Sequence, residues 1–349
     1  MNMQWINFLT EQGISASHDD FGAAAQELHA AQNGMVIAPL LDCGLIRASG
    51  VDAGVFLHNL LTNDINGIDA VTARFAGMCT PKGRLLATML IWRDGYDFLL
   101  MLPNDVLPGI LKKLSMYVLR SKVKLAEVTD ELALIGVSKS IGVIGLNADA
   151  AAHTVSAIDG GKAIRLDATR WLLSVTPTAA IARWTALRAT ASVVGTQAWQ
   201  WLEIQAGQPR VVAATQEAFV PQMLNMELPA VAGVSFTKGC YPGQEIVART
   251  QYLGKIKRRM FGVHFDHTAT LPAGAPVFSA QTGDQQCGSV VSCAPSPSGG
   301  FDALICVQSS AMETAEVNLG MPTGPRPLAK ALPYSLSVDD SMSPAPTGE

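Results

Sequence analysis

Apolar residues recur along the chain at two different spacings, and each spacing predicts a type of secondary structure. Repeats of three and four residues, combined with capping residues, predict helices. The predicted helices cover residues 15–32 with Ser17 as the N-cap, 51–63 beginning at Asp52, 107–118 with Asn104 as the N-cap, 178–191, and 199–206. The apolar stripe of residues 107–118 is continuous along one helical face, so it is expected in the core.

Alternation of apolar and polar residues predicts strands. In the first part of the chain the predicted strands cover residues 36–49, 72–79, 85–92 and 98–102. A meander of strands with interspersed helices favours an α+β fold over repeated βαβ units. After Ile256, short strands at 260–265, 275–278, 288–292 and 303–308 alternate with turn residues, which predicts a small β-barrel or sandwich. We therefore divide the chain into residues 1–255, residues 256–335 and a tail of disordered composition at 336–349.

The composition restricts the classes of function that fit. The chain has 349 residues, of which 48% are hydrophobic and 15% are charged, which is enough apolar sequence for large cores. Its net charge of −4 argues against a broad nucleic-acid interface, with the basic run Lys255–Arg259 as a local exception. No Lys or Arg precedes Arg47, and no apolar run reaches the ~18 residues of a spanning helix. We therefore expect a cytoplasmic protein that is not embedded in a membrane.

The six cysteines are scattered along the chain and contain no C-x-x-C pair. In a cytosolic protein of this size they are expected to be reduced thiols. They do not form a zinc or iron–sulfur ligand set. His264 and His267 are three residues apart in a predicted strand, so their side chains are expected to diverge. We predict no metal site.

The stretch Lys238–Glu245, with the sequence K-G-C-Y-P-G-Q-E, carries the candidate chemistry. Its proline and the later Gly254 bracket a predicted short helix at residues 243–252, so Cys240 is expected just ahead of a helix N-terminus. That end of a helix carries about half a positive charge, and Lys238 adds to it. Positive surroundings lower the pKa of a thiol and favour the reactive thiolate.

A plainer interpretation of the same stretch is also open. A lone cysteine is most often a small buried apolar residue. Glu245 and Arg249 have the spacing of an ordinary ion pair on a helix surface. Under this interpretation Cys240 packs a turn and carries no chemistry.

The eight-residue stretch, followed by Val247-Ala248-Arg249, resembles the signature of the YgfZ family, the folate-binding relatives of the glycine-cleavage T-protein. The resemblance extends over residues 39–335 through shorter pieces in the same order. These pieces are Leu61–Asp64, Pro81–Arg84, Phe219–Gln222 with Asn225, Ser235-Phe236 and Leu332–Ser335. The resemblance implies a three-lobed clover, in which two α+β lobes are interleaved within residues 1–255 and a C-terminal β-barrel closes a central hole that binds tetrahydrofolate.

The resemblance also implies roles for individual residues. It implies Cys240 and Lys238 as the catalytic pair, and Trp199, Tyr241, Gln244, Glu245 and Arg249 as cofactor-binding residues. One family tryptophan matches Trp199, whose indole suits a pteridine ring, but the other falls at Cys43, which removes a stacking surface. The T-protein relatives carry an aspartate in the strand after the Lys-Gly turn, whereas no carboxylate lies between Arg84 and Asp94 here.

Three functions are compatible with these observations. The first is a tetrahydrofolate-binding accessory protein for iron–sulfur cluster assembly or repair, which serves cluster enzymes, including one that thiolates tRNA, without classical turnover or tight tRNA binding of its own. In it, Cys240 attacks a disulfide or persulfide, or transiently holds iron or sulfur. The second is a folate-dependent aminomethyl transferase that uses another acid. The third is a folate-binding adaptor without chemistry.

Overall fold

The computed structural model of the chain describes residues 2–139, 146–147, 149–252, 256–267, 270–280, 283–314 and 316–336. Over these ranges the strands form one five-stranded sheet and two six-stranded sheets. Two α+β lobes are interleaved along the chain, and the C-terminal sheet is curled into a half-barrel. The predicted α+β fold class is therefore confirmed.

The first lobe is built on the five-stranded antiparallel sheet, with strand order β3-β4-β5-β2-β6. Its strands are β2 (Cys43–Ser49), β3 (Ala73–Cys79), β4 (Leu85–Asp94), β5 (Asp97–Pro103) and β6 (Lys124–Glu127). Helices α3 (Ala53–His58) and α4 (Leu107–Tyr117) share its apolar core. The stripe predicted to be core lies there, because Leu107, Ile110 and Leu114 are buried.

The second lobe is built on a six-stranded sheet with strand order β11-β1-β7-β10-β9-β8. Its strands are β1 (Val36–Pro39), β7 (Ala133–Ser138), β8 (Val155–Ile158), β9 (Gly161–Arg165), β10 (Arg170–Val175) and β11 (Ser192–Val193). Only the β1–β11 pair of these described strands is parallel. Helices α1 (Met3–Glu11) and α5 (Pro177–Leu187) pack on it, and the rings of Trp5 and Trp184 meet edge to face at 5.4 Å.

The half-barrel has strand order β16-β13-β14-β15-β12-β17, and its paired strands are antiparallel. Its elements are β12 (Arg258–Phe265), β13 (Pro276–Ser279), β14 (Gly283–Pro295), β15 (Phe301–Gln308), α8 (Ser309–Glu313), β16 (Val317–Leu319) and β17 (Leu328–Lys330). The predicted strands after Ile256 are therefore present.

Helix α6 (Thr196–Gln205) joins the half-barrel to the rest of the chain. The fully buried carboxylate of Asp302 accepts hydrogen bonds from Trp201 Nε1 at 2.7 Å and Gln205 Nε2 at 3.0 Å. The same carboxylate contacts His264 Nδ1 at 2.8 Å and Lys330 Nζ at 2.5 Å. A buried carboxylate with this many partners fixes the position of α6 against the half-barrel.

Two further helices complete the described structure, α2 (Ala24–Asn33) and α7 (Gln244–Tyr252). The buried Glu27 of α2 accepts a hydrogen bond from the Gly195 amide at 2.8 Å, directly before α6 begins. No helix within the described ranges is long and apolar enough to cross a bilayer.

Several sequence predictions were wrong in detail. A single helix at 15–32 does not form, because α1 precedes it and local hydrogen bonds such as Gly22 N to Asp20 Oδ1 favour turns between α1 and α2. Ser17 therefore caps no helix. Asn104 does not cap α4, since the cap position is Val106 and the Asn104 amide donates to the Leu41 carbonyl instead.

The helix predicted at 51–63 ends at His58, and the chain then turns through residues 59–63. The tail from 337 onward and Gly254 lie outside the described residues. The domain boundaries drawn from the sequence stay predictions.

Candidate functional site

The thiol loop, which we define as residues 236–243, is held to the first lobe by its lysine. The Lys238 side chain is buried, and its Nζ donates to the carbonyl oxygens of His58 and Leu61, the latter at 2.8 Å. The same ammonium lies 4.7 Å from the centre of the Tyr241 ring. The loop that carries Cys240 is therefore anchored just after α3.

Burial lowers the pKa of Lys238 from its usual value to about 8, although the charges of Asp64 and Cys240 oppose the shift. The lysine is thus close enough to both groups to interact with them electrostatically. The catalytic role that the sequence suggested for Lys238 stays a prediction.

Two glycines let the thiol loop approach the turn between β3 and β4. Gly243 has φ +84°, and a Cβ on it would lie 2.4 Å from the Thr80 carbonyl oxygen and 2.7 Å from Gly83. Gly83 itself has φ +70°. Only a glycine accepts this backbone conformation and this contact without strain. The segment Pro81–Arg84, which is one of the segments that carry the family resemblance, therefore packs against the thiol loop.

Other matching pieces contact the segment that leads into and out of the loop. Thr62 Oγ1 donates to the Gly233 carbonyl at 2.6 Å, and Asn63 Nδ2 donates to the Ala232 carbonyl at 2.7 Å. Gln222 Nε2 donates to the Val247 carbonyl of α7 at 2.7 Å. Pieces that are far apart in sequence are thus brought together around one loop.

Cys240 is the exposed member of the six cysteines, and none of the six is in a disulfide. Burial raises the pKa of Cys79 and of Cys306 to about 12. Burial and the neighbouring Asp42 raise the pKa of Cys43 well above the usual range. Those thiols stay protonated and shielded, whereas Cys240 meets solvent four residues ahead of α7.

Sequence reasoning missed His58 beside the loop. Its Nδ1 lies 3.1 Å from Asp64 Oδ1, and its Nε2 would be 3.8 Å from a Cβ built on Gly239. Burial and the charge of Lys238 lower the pKa of His58, while Asp64 opposes the shift. The only signal in the sequence was Asp64, which belongs to the matching piece Leu61–Asp64.

The predicted cofactor residues after Cys240 lie around the loop and α7. Tyr241 is buried, which raises the pKa of its phenol, and Gln244 is half-buried. Glu245 and Arg249 are exposed and form no ion pair with each other or with another described residue. Their assignment to a cofactor stays a prediction.

Trp199 lies elsewhere, in the core between the second lobe and α6. It is 2% exposed, and a Cβ on Gly136 of β7 would lie 2.6 Å from its ring atoms, so the indole packs flat on that strand. Its Nε1 has no hydrogen-bond partner among the described residues. The guanidinium carbon of Arg170 is 5.6 Å from the ring centre.

Arg170 forms part of the wall of a central cavity between the lobes. The cavity has mostly apolar walls, and a wider opening of ≈ 450 Å³ toward the half-barrel shares residues with it. The shared residues are Pro103, Glu203, Gln208 and Arg210. Arg170 Nη1 is buried with no acceptor among the described residues. An unmet buried donor in a cavity wall can bind an acceptor on a ligand.

Arg210 links the two openings through an ion network that the sequence did not predict. Its Nη2 lies 2.8 Å from Asp42 Oδ2 and its Nη1 lies 3.4 Å from Glu203 Oε2. Cys43 lines the same cavity, with its sulfur 3.8 Å from Arg210 Nη2. A small buried thiol thus lies at the position where the sequence resemblance implied a tryptophan.

Strand β4, which has no carboxylate before Asp94, contributes to the same cavity wall. Thr88 lines the cavity, and its Oγ1 accepts a hydrogen bond from the Val211 amide at 3.1 Å. Its hydroxyl is engaged in holding the neighbouring segment. Thr88 therefore supplies neither a negative charge nor a general acid there.

The fold of the chain is similar to that of an aminomethyltransferase of glycine cleavage. The crystal structure of glycine cleavage system aminomethyltransferase T from Bartonella henselae matches 94% of this chain and 96% of that chain, with a TM-score of 0.75 and 15% identity. Identity this low shows the fold alone.

Curated relatives then identify the family. The tRNA-modifying protein YgfZ of Vibrio atlanticus (strain LGP32) is 30% identical over 233 residues, which are 65% of this chain and 68% of that protein. The protein of the same name from Photorhabdus laumondii subsp. laumondii is 32% identical over 240 residues, 65% of this chain and 70% of that protein. The one from Serratia proteamaculans (strain 568) is 28% identical over 87% of this chain and 94% of its own length. The chain belongs to the YgfZ family. No family model matches it.

Proposed function

We propose that this chain is a tetrahydrofolate-binding accessory protein of iron–sulfur cluster assembly or repair, which supports tRNA modification indirectly and uses Cys240 as a reactive thiol. The proposal rests on the exposed Cys240 in a loop whose lysine is anchored to the first lobe. The YgfZ relatives, which are named tRNA-modifying proteins, support it. The site of action is the cytoplasm.

The chemistry that fits Cys240 is exchange at sulfur. The thiolate attacks the terminal sulfur of a persulfide on a partner protein, a new sulfur–sulfur bond forms at Cys240, and the partner leaves as its own thiolate. Cys240 meets solvent, so a persulfide on a partner protein can reach it. The buried cysteines do not compete, since they stay protonated.

Residues of the central cavity offer contacts to a folate. The mostly apolar walls suit a pteridine and the unmet Arg170 Nη1 suits a ring acceptor. Because the cavity itself measures only ≈ 70 Å³, the ligand must extend into the adjoining opening of ≈ 450 Å³. When bound, tetrahydrofolate would supply a one-carbon carrier or a reductant next to the lobes. The indole of Trp199 lies next to the Arg170 guanidinium and helps to hold it in the cavity wall.

An aminomethyl transfer reaction is less well supported. Thr88 cannot serve as the acid, and Glu203 in the cavity wall is engaged by Arg210. Formation of formaldehyde equivalents from an aminomethyl donor, dependent on tetrahydrofolate, would restore that alternative.

The folate part is tested by anaerobic titration calorimetry with tetrahydrofolate. Arg170→Gln is expected to weaken binding by roughly tenfold or more, because a buried donor to the ligand is lost. Arg183→Gln is the matched control, since that arginine donates to the Asp159 carbonyl on the surface. A Trp199→Phe variant followed by fluorescence reports on the indole. Absence of binding to the wild-type chain at millimolar ligand contradicts folate binding.

The thiol part is tested separately in cells that lack the native gene. Cys240→Ser is expected to lose support for iron–sulfur enzymes under oxidative stress, whereas Cys293→Ser, a half-buried cysteine of the half-barrel, is expected to retain it. Full support by Cys240→Ser would make the chain an adaptor without thiol chemistry. A submicromolar, salt-sensitive complex with tRNA would contradict the indirect role.

A further inference from the structure

One side of the first lobe exposes apolar side chains that its core does not use. Val51 and Val55 border α3 and are 84% and 57% exposed, and Leu119 after α4 is 89% exposed. Tyr96, Met116 and Tyr117 are also exposed. We call this surface the α3–α4 face, defined by Val51, Val55, Tyr96, Met116, Tyr117 and Leu119. Groups of exposed apolar residues on a folded protein mark interaction sites.

Two depressions shape the α3–α4 face, and Val55 lies between them. One measures ≈ 470 Å³ and includes Val51, Arg93 and Tyr96, and the other measures ≈ 300 Å³ and includes Tyr117. The segment after α4 is held close to α3, because the Lys122 amide donates to Asp52 Oδ2 at 2.7 Å. Val55 lines both depressions, so the two adjoin each other.

The chain segment that supplies Met116, Tyr117 and Leu119 to this face is strongly basic. Between Asp105 and Glu127 the chain has no acidic residue and five cationic ones, Lys112, Lys113, Arg120, Lys122 and Lys124. None of the five forms an ion pair with any described residue. The whole chain carries a net charge of −4, so this concentration of positive charge is local. Its natural complement is an acidic surface.

The face also reaches the thiol loop. Asn59 and Leu60 line the smaller depression together with Tyr117. The residues on either side of that pair, His58 and Leu61, supply the carbonyl oxygens that hold Lys238. A molecule seated on the face thus contacts the chain that anchors the loop of Cys240.

We propose that the α3–α4 face docks an acidic protein and brings a group of that protein to Cys240. The inference rests on the proposed function for the role of the partner, which exchanges sulfur with the thiol. Concave depressions beside exposed apolar residues take up protein side chains, and cations of the same chain segment attract acidic ones.

Other polyanions match this surface less well. Phosphates of an RNA would use the cations, but Val51, Val55 and Leu119 offer nothing to them. A bilayer surface would use cations and apolar residues together, but it does not fill two separate depressions. The combination of both residue classes with concavity therefore favours a protein.

The test uses three double variants of the full chain. The charge variant is Lys113→Glu with Arg120→Glu, and the apolar variant is Val55→Ser with Leu119→Ser. The matched control on the half-barrel is Arg326→Glu with Leu328→Ser, since both residues are exposed there. The probe is a fluorescent synthetic peptide rich in Glu and Leu, with bulk tRNA and phosphatidylglycerol vesicles as competing probes. Continued protection of the buried Cys79 from iodoacetamide verifies that each variant is folded.

We expect the peptide to bind the wild-type chain and the control equally. The charge variant should bind it roughly tenfold more weakly and the apolar variant roughly threefold more weakly. In cells, a photo-reactive phenylalanine derivative at position 117 should cross-link to an acidic protein, and the charge variant should lose that product.

The proposal is overturned if no probe binds, or if the control weakens binding as much as the other variants. It is also overturned if tRNA or vesicles bind in a way that depends on Arg120 but not on Leu119, or if the cross-linked product is destroyed by ribonuclease. If a Cys240→Ser variant still binds the peptide and still supports the client enzymes, the proposed function of the thiol is contradicted, whereas the proposed docking surface is not.

Discussion

The buried Asp302 carboxylate joins α6 to the half-barrel, and its removal tests the architecture directly. Asp302→Ala leaves the donors from α6 and the half-barrel without an acceptor in a buried place. Breaking such a buried, charged network costs about 3–5 kcal/mol of the free energy of unfolding. Asp302→Asn keeps the shape and loses only the charge, so its cost is expected to be about 1.5–3 kcal/mol.

The pH dependence of this effect has a defined sign. Burial raises the pKa of Asp302, but hydrogen bonds from Lys330, His264 and Trp201 outweigh it, so the pKa in the folded state is lowered. A lowered carboxyl pKa contributes stability above the unfolded value of about 3.9, and that stability is lost as the pH falls through the folded value. The difference between wild type and Asp302→Asn should therefore be constant near neutral pH and shrink below about pH 4.

The assay is urea unfolding followed by circular dichroism at several pH values. The matched control is Asp266→Asn, because that carboxylate is exposed and lies 3.9 Å from the other nitrogen of the same His264. It is expected to change the stability by less than about 0.5 kcal/mol. If Asp302→Ala costs no more than this control, α6 is not held by the network and the argument is refuted.

Three further predictions concern the thiol loop. Gly243→Ala should lower the free energy of unfolding in urea by about 1–3 kcal/mol, because the added Cβ would meet the Thr80 carbonyl and the backbone φ is positive. A variant as stable as the wild type would contradict this backbone contact. Iodoacetamide added to the native chain should alkylate Cys240 first and Cys79 only after unfolding, as measured by mass spectrometry of peptides. Early labelling of Cys79 would show that the turn between β3 and β4 does not shield it. Thr62→Val should lower the free energy of unfolding by about 1–3 kcal/mol, since the buried hydroxyl of Thr62 both donates to and accepts from the backbone. Thr62→Ser keeps the hydroxyl and should retain most of the stability. An equal loss in both variants would contradict the role of these hydrogen bonds.

Local patterns predicted the elements with strong periodicity. The stripe of α4 needed no tertiary information, because its apolar residues repeat at 3.6 residues, and β3 to β5 were predictable as short, mostly apolar runs bounded by turns. Helix α1 was not recognised, since only Trp5 and Leu9 of its residues are buried and its partner Trp184 is far along the chain. The side chain of Asn104 was misjudged because its acceptor, the Leu41 carbonyl, comes from a distant strand end.

The candidate site, like the fold, could be predicted from the sequence only where its residues are adjacent in the chain. The stretch around Cys240 could be found in the sequence because its residues are adjacent. The central cavity could not, because Arg210 reaches Asp42 across 168 residues, and no local pattern encodes that contact. The half-buried position of His58 likewise depends on where Lys238 inserts.

The interleaving of the two lobes has a consequence for synthesis on the ribosome. Strand β1 is made before the first lobe, yet its parallel partner β11 follows much later, at Ser192-Val193. At ~5–20 residues per second, translation from Ile37 to Val193 takes roughly 10–30 s. During that interval the first lobe can complete its own antiparallel sheet, while β1 lacks a partner on both edges until β7 is made and on one edge until β11 is made. A nascent chain of this kind is open to mispairing at that edge, so holdase chaperones and slow codons in this interval are expected to influence its yield.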